Sequence, residues 1–399
     1  MTNGKLAIGA FLLAGLGAAC SSSKGNPTGT AGSSAGGSTG GSTGAAGTGG
    51  AGGSTGGSTG TGGSGGGGAA GTVALATPVE LVSAQGCGNL RLALANGTIY
   101  YTNQLAGTVS SIAVAGGTPT VIAMNQLQPN PIAADATSVY WGNDGDASVM
   151  KAPVGGGAAS VLFALGGSDG GAPDAGAGAI TYPNALLVSG TTLFVGRGLD
   201  TYKLPTAGGA AVQLSHSLEI GYPGAFAFDG THLYQTEISH NAITREVIDG
   251  TQKGAITDGT IHDLAPDRIA VSRAALVTDA IQISGQNLVW ANGTDIEFHD
   301  KDMSETQMTV GRINSAAGFN PLTGFIISDG KIYLGESSDN NVEVTPLTFT
   351  PSTNAPPPVV IAMQQPNPAE FAADATNIYY TTVTKNDATG TCKIMKLAK

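Results

Sequence analysis

The chain has 399 residues, 63 of them glycine and only 11% charged, with a formal net charge of −11. Net acidity and the lack of any basic run argue against nucleic acid, because phosphate contacts need clustered Lys and Arg. An ordinary soluble domain is about a quarter charged and about 7% Gly, so this composition marks a mixture of unlike segments.

Lys5 supplies a short positive start, and Leu6–Ala19 form an apolar stretch the length of a signal-peptide core. It ends in Leu16-Gly17-Ala18-Ala19-Cys20, which resembles a bacterial lipobox, although Gly17 stands where that pattern prefers Leu. The resemblance implies residues 1–19 as signal peptide, lipidation of Cys20 and, with Ser21 following, an outer-membrane or cell-surface location. The other reading of these residues is secretion after a small-residue site, with Cys20 incidental. No apolar run reaches the roughly 18 to 20 residues needed to span a bilayer, so contact with the membrane is expected through the lipid.

From Cys20 to Gly71 the sequence is rich in Gly, Ser and Thr, with Lys24 its only charge and no large apolar residue. Such a segment buries too little surface to offset its ordering entropy. It is expected to be a disordered tether with a reach of roughly 40 Å.

Over 72–399 one unit recurs: an apolar strand, a tight turn, then a strand carrying aromatics. Examples are Leu92–Tyr101 around Asn96-Gly97, Ile132–Trp141 after Asp135, Phe226–Tyr234 around Asp229-Gly230, and Phe371–Tyr380 after Asp374. The aliphatic residue before the aromatic anchor falls at 99, 139, 193, 233, 288, 332 and 378. Seven strand-turn-strand units at a period of about 40 to 50 residues predict an all-β, seven-bladed β-propeller. Asp135, Asp229, Asp329 and Asp374 recur next to Gly or Ala, which marks them as turn formers. The last unit ends after its third strand, Lys393–Leu397, while Thr77–Ser83 resembles a fourth strand. Pairing the two closes the ring and removes two sheet edges. It also makes Cys87 and Cys392 neighbours, so the pair reads as a disulfide permitted in an exported compartment or as two free thiols in turns.

Tyr140-Trp141-Gly142-Asn143, Tyr101-Thr102-Asn103 and Tyr380-Thr381-Thr382 resemble the blades of the Tyr-Trp-Thr-Asp and related secreted β-propellers. The resemblance covers Thr77–Lys399 and departs in the last two motif positions and in blade count, since those receptor propellers have six blades. It implies the fold, and a binding function only loosely.

Two units are long. The first insertion, Gly166–Asn184, carries Asp169 and Asp174; the second, Gly250–Asp279, carries His262, Asp263, Asp267 and Arg268. Neither has a metal-ligand spacing, there is no nucleophile elbow, and no cofactor or metal is expected. Instead Pro129-Asn130, Tyr182-Pro183-Asn184, Tyr222-Pro223, Asn320-Pro321 and Pro366-Asn367 recur where the chain enters each innermost strand. In a propeller these connections meet at one mouth of the axial channel. Asn130, Tyr182, Asn184, Tyr222, Asn320 and Asn367 are therefore the candidate ligand-binding residues, unless Pro and Asn merely start the strand. The expected function is a surface-tethered, monomeric, non-catalytic module that binds protein, peptide or glycan. The alternative is an extracytoplasmic lyase or hydrolase using the second insertion with His216, His240 and His262.

Overall fold

The computed structural model describes residues 75–164, 182–216, 223–237, 242–249, 267–271, 276–293, 295–302, 311–312, 322–349 and 358–399. The candidates Cys20, Tyr222, Asn320, His240, His262, Asp169, Asp174 and Asp263 lie outside them, as does the tether.

Seven four-stranded antiparallel sheets make a seven-bladed propeller. The innermost strands are Leu90–Ala95, Pro129–Ala134, Pro183–Ser189, Pro223–Phe228, Leu276–Ser284, Leu322–Ser328 and Ala369–Ala373, for blades 1 to 7. Each packs beside the next, and the last returns to the first. In blade 7 the N-terminal strand Val79–Gln85 takes the outer place and pairs with Thr391–Ala398, in a register that sets Val82 on Ile394 and Ala84 on Cys392. Cys87 and Cys392 are disulfide-bonded, with Cα atoms 6.2 Å apart, so the free-thiol reading is excluded. The seam where the chain's two ends meet is thus held by a ladder and a covalent bond.

The second strands explain the aromatic signal. Successive side chains of a strand point to opposite faces, and in a propeller both faces meet a neighbouring blade. In Ser138–Asn143 every residue is buried: Tyr140 packs with Leu193 and Leu204 of blade 3, while Trp141 packs with Tyr100 and Ile122 of blade 1. Burying one such aromatic contributes about 4 to 6 kcal/mol before entropy is counted.

The recurring aspartates are turn residues. Asp135 Oδ1 accepts from the backbone N–H of Thr137 (2.7 Å) and Ser138 (2.8 Å), and its Oδ2 accepts from Tyr140 Oη at 2.8 Å. Asp229 with Tyr234 and Asp374 with Tyr379 repeat this arrangement. On the same side of the ring, a basic residue at one position of the third strand reaches a backbone carbonyl of the next blade. Lys151 donates to Thr206 O at 2.6 Å, Arg245 to Lys301 O at 3.2 Å and Lys396 to Val114 O at 2.9 Å, and Lys203 donates to Ile248 O. These bonds bolt blades together where the lysine stem can lie along the sheet.

Candidate functional site

The connections entering the inner strands open on the face that also carries the turns between second and third strands. On this mouth six of the seven inner strands slip register against their neighbour. The slips lie between Pro129 and Ile132, Pro183 and Ala185, Pro223 and Phe226, Leu276 and Ile281, Leu322 and Gly324, and Ala369 and Ala372. A bulge re-aims the side chains it contains, and Asn184 and Glu370 of these bulges line a cavity at the mouth.

The prolines of these bulges have a packing role. A Cβ on Gly142 would lie 2.6 Å from Pro183 Cβ, one on Gly196 3.0 Å from Pro223 Cγ, and one on Gly335 2.0 Å from Pro368 O. Each bulge is therefore wedged against a glycine near the end of the preceding blade's second strand. Where that glycine is replaced, as by Thr102, the hydroxyl donates to the bulge carbonyl of Asn130 at 2.9 Å. The recurrence of Pro and Asn is in part this wedge.

A chain of polar side chains runs across the mouth from blade 7 to blade 2. Glu370 pairs with Arg91 Nη1, and Arg91 Nε donates to Asn130 Oδ1 at 3.1 Å. Asn130 Nδ2 donates to Asp144 Oδ2 at 3.0 Å, which also accepts from Gln104 Nε2 at 3.1 Å. Burial pushes the Asp144 carboxyl up to about 6, against the opposing hydrogen bonds of Asn130 and Gln104 and the charge of Arg91. Its Oδ1 is buried with no partner. On the axis, a cavity of about 160 Å³ is lined by Arg91, Asn184, Phe226 and Glu370. A second cavity of about 410 Å³, lined by Asn89, Asn367, Thr381 and Lys385, shares Arg91 and Glu370 with it.

The sequence candidates divide accordingly. Asn130 belongs to the polar chain, and Asn184 lines the axial cavity, donating from Nδ2 to Pro223 O. Tyr182 is half-buried just before the inner strand of blade 3. Asn367 lines the second cavity but is not the counterpart of Asn130. The segments Val121–Asp135 and Val360–Asp374 run in step, with left-handed backbone at Asn125 and Gln364 and again at Gln128 and Asn367. Pro-Asn-Pro is thus displaced by two residues between blades 2 and 7. Asn367 takes the place of Gln128 and bonds Val383 O at 3.0 Å, at the rim. Sequence reading missed Arg91, Asp144 and Glu370. The one available signal was a charge inside otherwise apolar inner strands, as in Leu90-Arg91-Leu92.

Of the alternative's residues, His240 and His262 lie outside the described residues. His216 ends the outer strand of blade 3 at the mouth. The second insertion instead joins the third and outer strands of blade 4, Ala242–Val247 and Asp267–Val271, whose linked ends lie on the opposite face. Among the described residues, no three His, Cys, Asp or Glu side chains come together as metal ligands, and no helix is long and apolar enough to cross a membrane.

No protein-family profile matches the sequence, and none of the curated proteins does. Solved structures do. Virginiamycin B lyase from Staphylococcus aureus is similar with a TM-score of 0.59 and 13% identity, over 81% of this chain and 98% of that one. A chain of the mitotic checkpoint complex gives 0.54 and 13%, over 79% and 94%. The computationally designed protein Ika8 gives 0.52 and 15%, over 76% and 84%. A lyase, a checkpoint assembly and a design share little but their architecture, so at these identities the likeness shows the β-propeller fold alone.

Proposed function

We propose that the protein is an extracytoplasmic β-propeller lipoprotein, anchored through Cys20 on a Gly/Ser/Thr tether, that binds a polar peptide or glycan at the axial mouth. The observation that carries this reading is the Glu370–Arg91–Asn130–Asp144 chain beside two open cavities. It sets alternating donors and acceptors at a concave surface, the arrangement by which small polar ligands are oriented.

A peptide and glycan array probed with purified protein, followed by titration of the hits, tests the site. Arg91→Ala is expected to weaken binding at least tenfold by removing the central donor and the positive charge that faces Glu370. Hits whose affinity is unchanged in Arg91→Ala and in Asn184→Ala would move the binding surface away from the mouth. Lipidation is read separately, by labelling cells with a radioactive fatty acid: wild type takes the label into the membrane fraction, and Cys20→Ser does not. Equal label in both would remove the anchor from the proposal.

A further inference from the structure

Asp144 opens the turn that follows Ser138–Asn143 in blade 2, and Gln104 holds the same place after Thr98–Asn103 in blade 1. Each turn is tied to the entry of its own inner strand. Asp144 N donates to Gln128 O at 3.1 Å, and Gln104 N donates to Asn89 O at 3.2 Å. The two side chains then bridge the blades, with Gln104 Nε2 donating to Asp144 Oδ2 at 3.1 Å. Asn130 Nδ2 donates to the same oxygen at 3.0 Å.

Both amides are pinned at their far ends by N–H donors. Gln104 Oε1 accepts from Asn89 N at 3.4 Å, and Asn130 Oδ1 accepts from Arg91 Nε at 3.1 Å. Turning either amide to offer its oxygen to Asp144 would set an NH₂ group against one of these donors. Asp144 Oδ2 therefore faces two donors, and its Oδ1 is buried with no hydrogen-bond partner. A carboxylate, which only accepts, fits this setting. A neutral carboxyl does not: a proton on Oδ1 finds no acceptor, and a proton on Oδ2 evicts one of the amides. Arg91, on the inner strand of blade 1, is the charged side chain that favours the carboxylate, and Glu370 of blade 7 pairs with Arg91. Asp146 in the same turn is bonded to Ser148 N and Oγ, and residues 125–128, whose backbone holds this turn, carry no charge. Burial outweighs the two N–H bonds and the charge of Arg91, so the carboxyl titrates at about 6.

We propose that Asp144 is the positioning residue of the mouth: its carboxylate holds Gln104 and Asn130, these hold Asn89 and Arg91, and protonation releases the arms. Both arms end on the wall of the cavity of about 410 Å³, which Asn89 and Arg91 line together. The inference rests on the mouth being the binding surface, and it adds that this surface is set at neutral pH and slackens in acid. Affinity is expected to fall about tenfold between pH 7.5 and pH 5, because about a tenth of the protein then keeps the ionised clamp.

The test begins without ligand. Full-length protein labelled with ¹⁵N is titrated from pH 8 to pH 4.5, following the Arg91 Nε–Hε resonance, assigned by its absence in Arg91→Lys. A single midpoint near 6 is expected in wild type, and none in Asp144→Asn. Gln104→Leu removes one N–H that favours the carboxylate, so it should raise the midpoint by about half a pH unit. It also carries the test if Asp144→Asn does not fold. A resonance that stays still in wild type overturns the clamp. So does one that titrates equally in folded Asp144→Asn, or a midpoint that Gln104→Leu leaves unchanged or lowers. Ligand enters second, as an array hit that is a neutral glycan or a His-free peptide with both ends blocked. Wild type should bind it about tenfold more weakly at pH 5 than at pH 7.5, and Asp144→Asn should bind weakly at both. Affinity independent of pH in wild type overturns the link to binding. An array without hits removes the binding function itself, whereas the Arg91 titration alone decides the clamp.

Discussion

The wedge between blades 2 and 3 is testable at a single carbon. Gly142 lies in the second strand of blade 2, and a methyl group there would sit 2.6 Å from Pro183 Cβ and 2.9 Å from Pro131 Cγ. Real Cβ contacts stay beyond about 3.4 Å in ordinary van der Waals packing, so roughly half an ångström to an ångström must be found. Neither proline ring can rotate away, and both belong to inner strands whose backbones are locked in the ring. Overpacking of this kind costs about 1 to 3 kcal/mol, partly offset by the 0.4 to 1 kcal/mol that Gly→Ala gains in the unfolded chain. Gly142→Ala is therefore expected to lose about 1 to 2 kcal/mol, read as a lower urea midpoint at unchanged slope. Gly155→Ala is the control: nothing lies within 4 Å of its Cβ position, and its midpoint should stay or rise. Pro183→Gly in the Gly142→Ala background removes the closest contact, the proline Cβ, so a double-mutant cycle should show coupling of at least about 0.5 kcal/mol. Strict additivity, or a Gly142→Ala variant as stable as Gly155→Ala, would refute the wedge.

Two further outcomes follow from the seam and from the buried acids. Cys87 and Cys392 close a loop spanning 305 positions, for which the chain-entropy relation gives about 5 to 6 kcal/mol; Cys87→Ala with Cys392→Ala should lower the urea midpoint steeply, and an unchanged midpoint would mean that the Val79–Gln85 ladder suffices alone. Glu246, at about 7 when folded, keeps its proton longer than in the unfolded chain, where it titrates near 4.5. Unfolding then releases a proton, so Glu246 by itself contributes a fall in stability of about 1.4 kcal/mol per pH unit between 4.5 and 7, and Glu237, also raised by burial, adds to the fall. Glu343, raised by burial and by the charges of Glu336 and Asp339, acts in the same direction. Asp229 and Asp374 act oppositely: both are held far below the usual carboxylate range, so their contribution is lost only as the pH drops below about 4. Urea midpoints from pH 5 to 8 check this, and a Glu246→Gln profile as steep as wild type would contradict it.

Much of the architecture is written locally. A strand-turn-strand unit cannot bury its two apolar faces alone, so its repetition at seven near-regular positions already demands a ring. Asp135, Asp229 and Asp374 announce their turns because the carboxylate bonds backbone two and three residues ahead. The missing last strand and its N-terminal substitute are visible for the same reason, since an open sheet edge must be covered.

The site was legible only in part. Asn130 and Asn184 stand out because Pro and Asn mark the strand entries, yet the same three letters in blade 7 fall two residues earlier in the fold and carry Asn367 to the rim. Arg91 and Glu370 lie 279 residues apart and meet only because the ring closes there. Glu237 and Glu246 look in sequence like ordinary charges at strand ends. Their burial depends on blade 3 laying Thr201 and Ser215 across them, a contact between segments about 30 residues apart. What the sequence determined by itself is whatever one unit must do for its own backbone and faces. Tertiary structure decided which polar groups share a cavity and which are sealed from water, because those depend on the angle at which separate units meet.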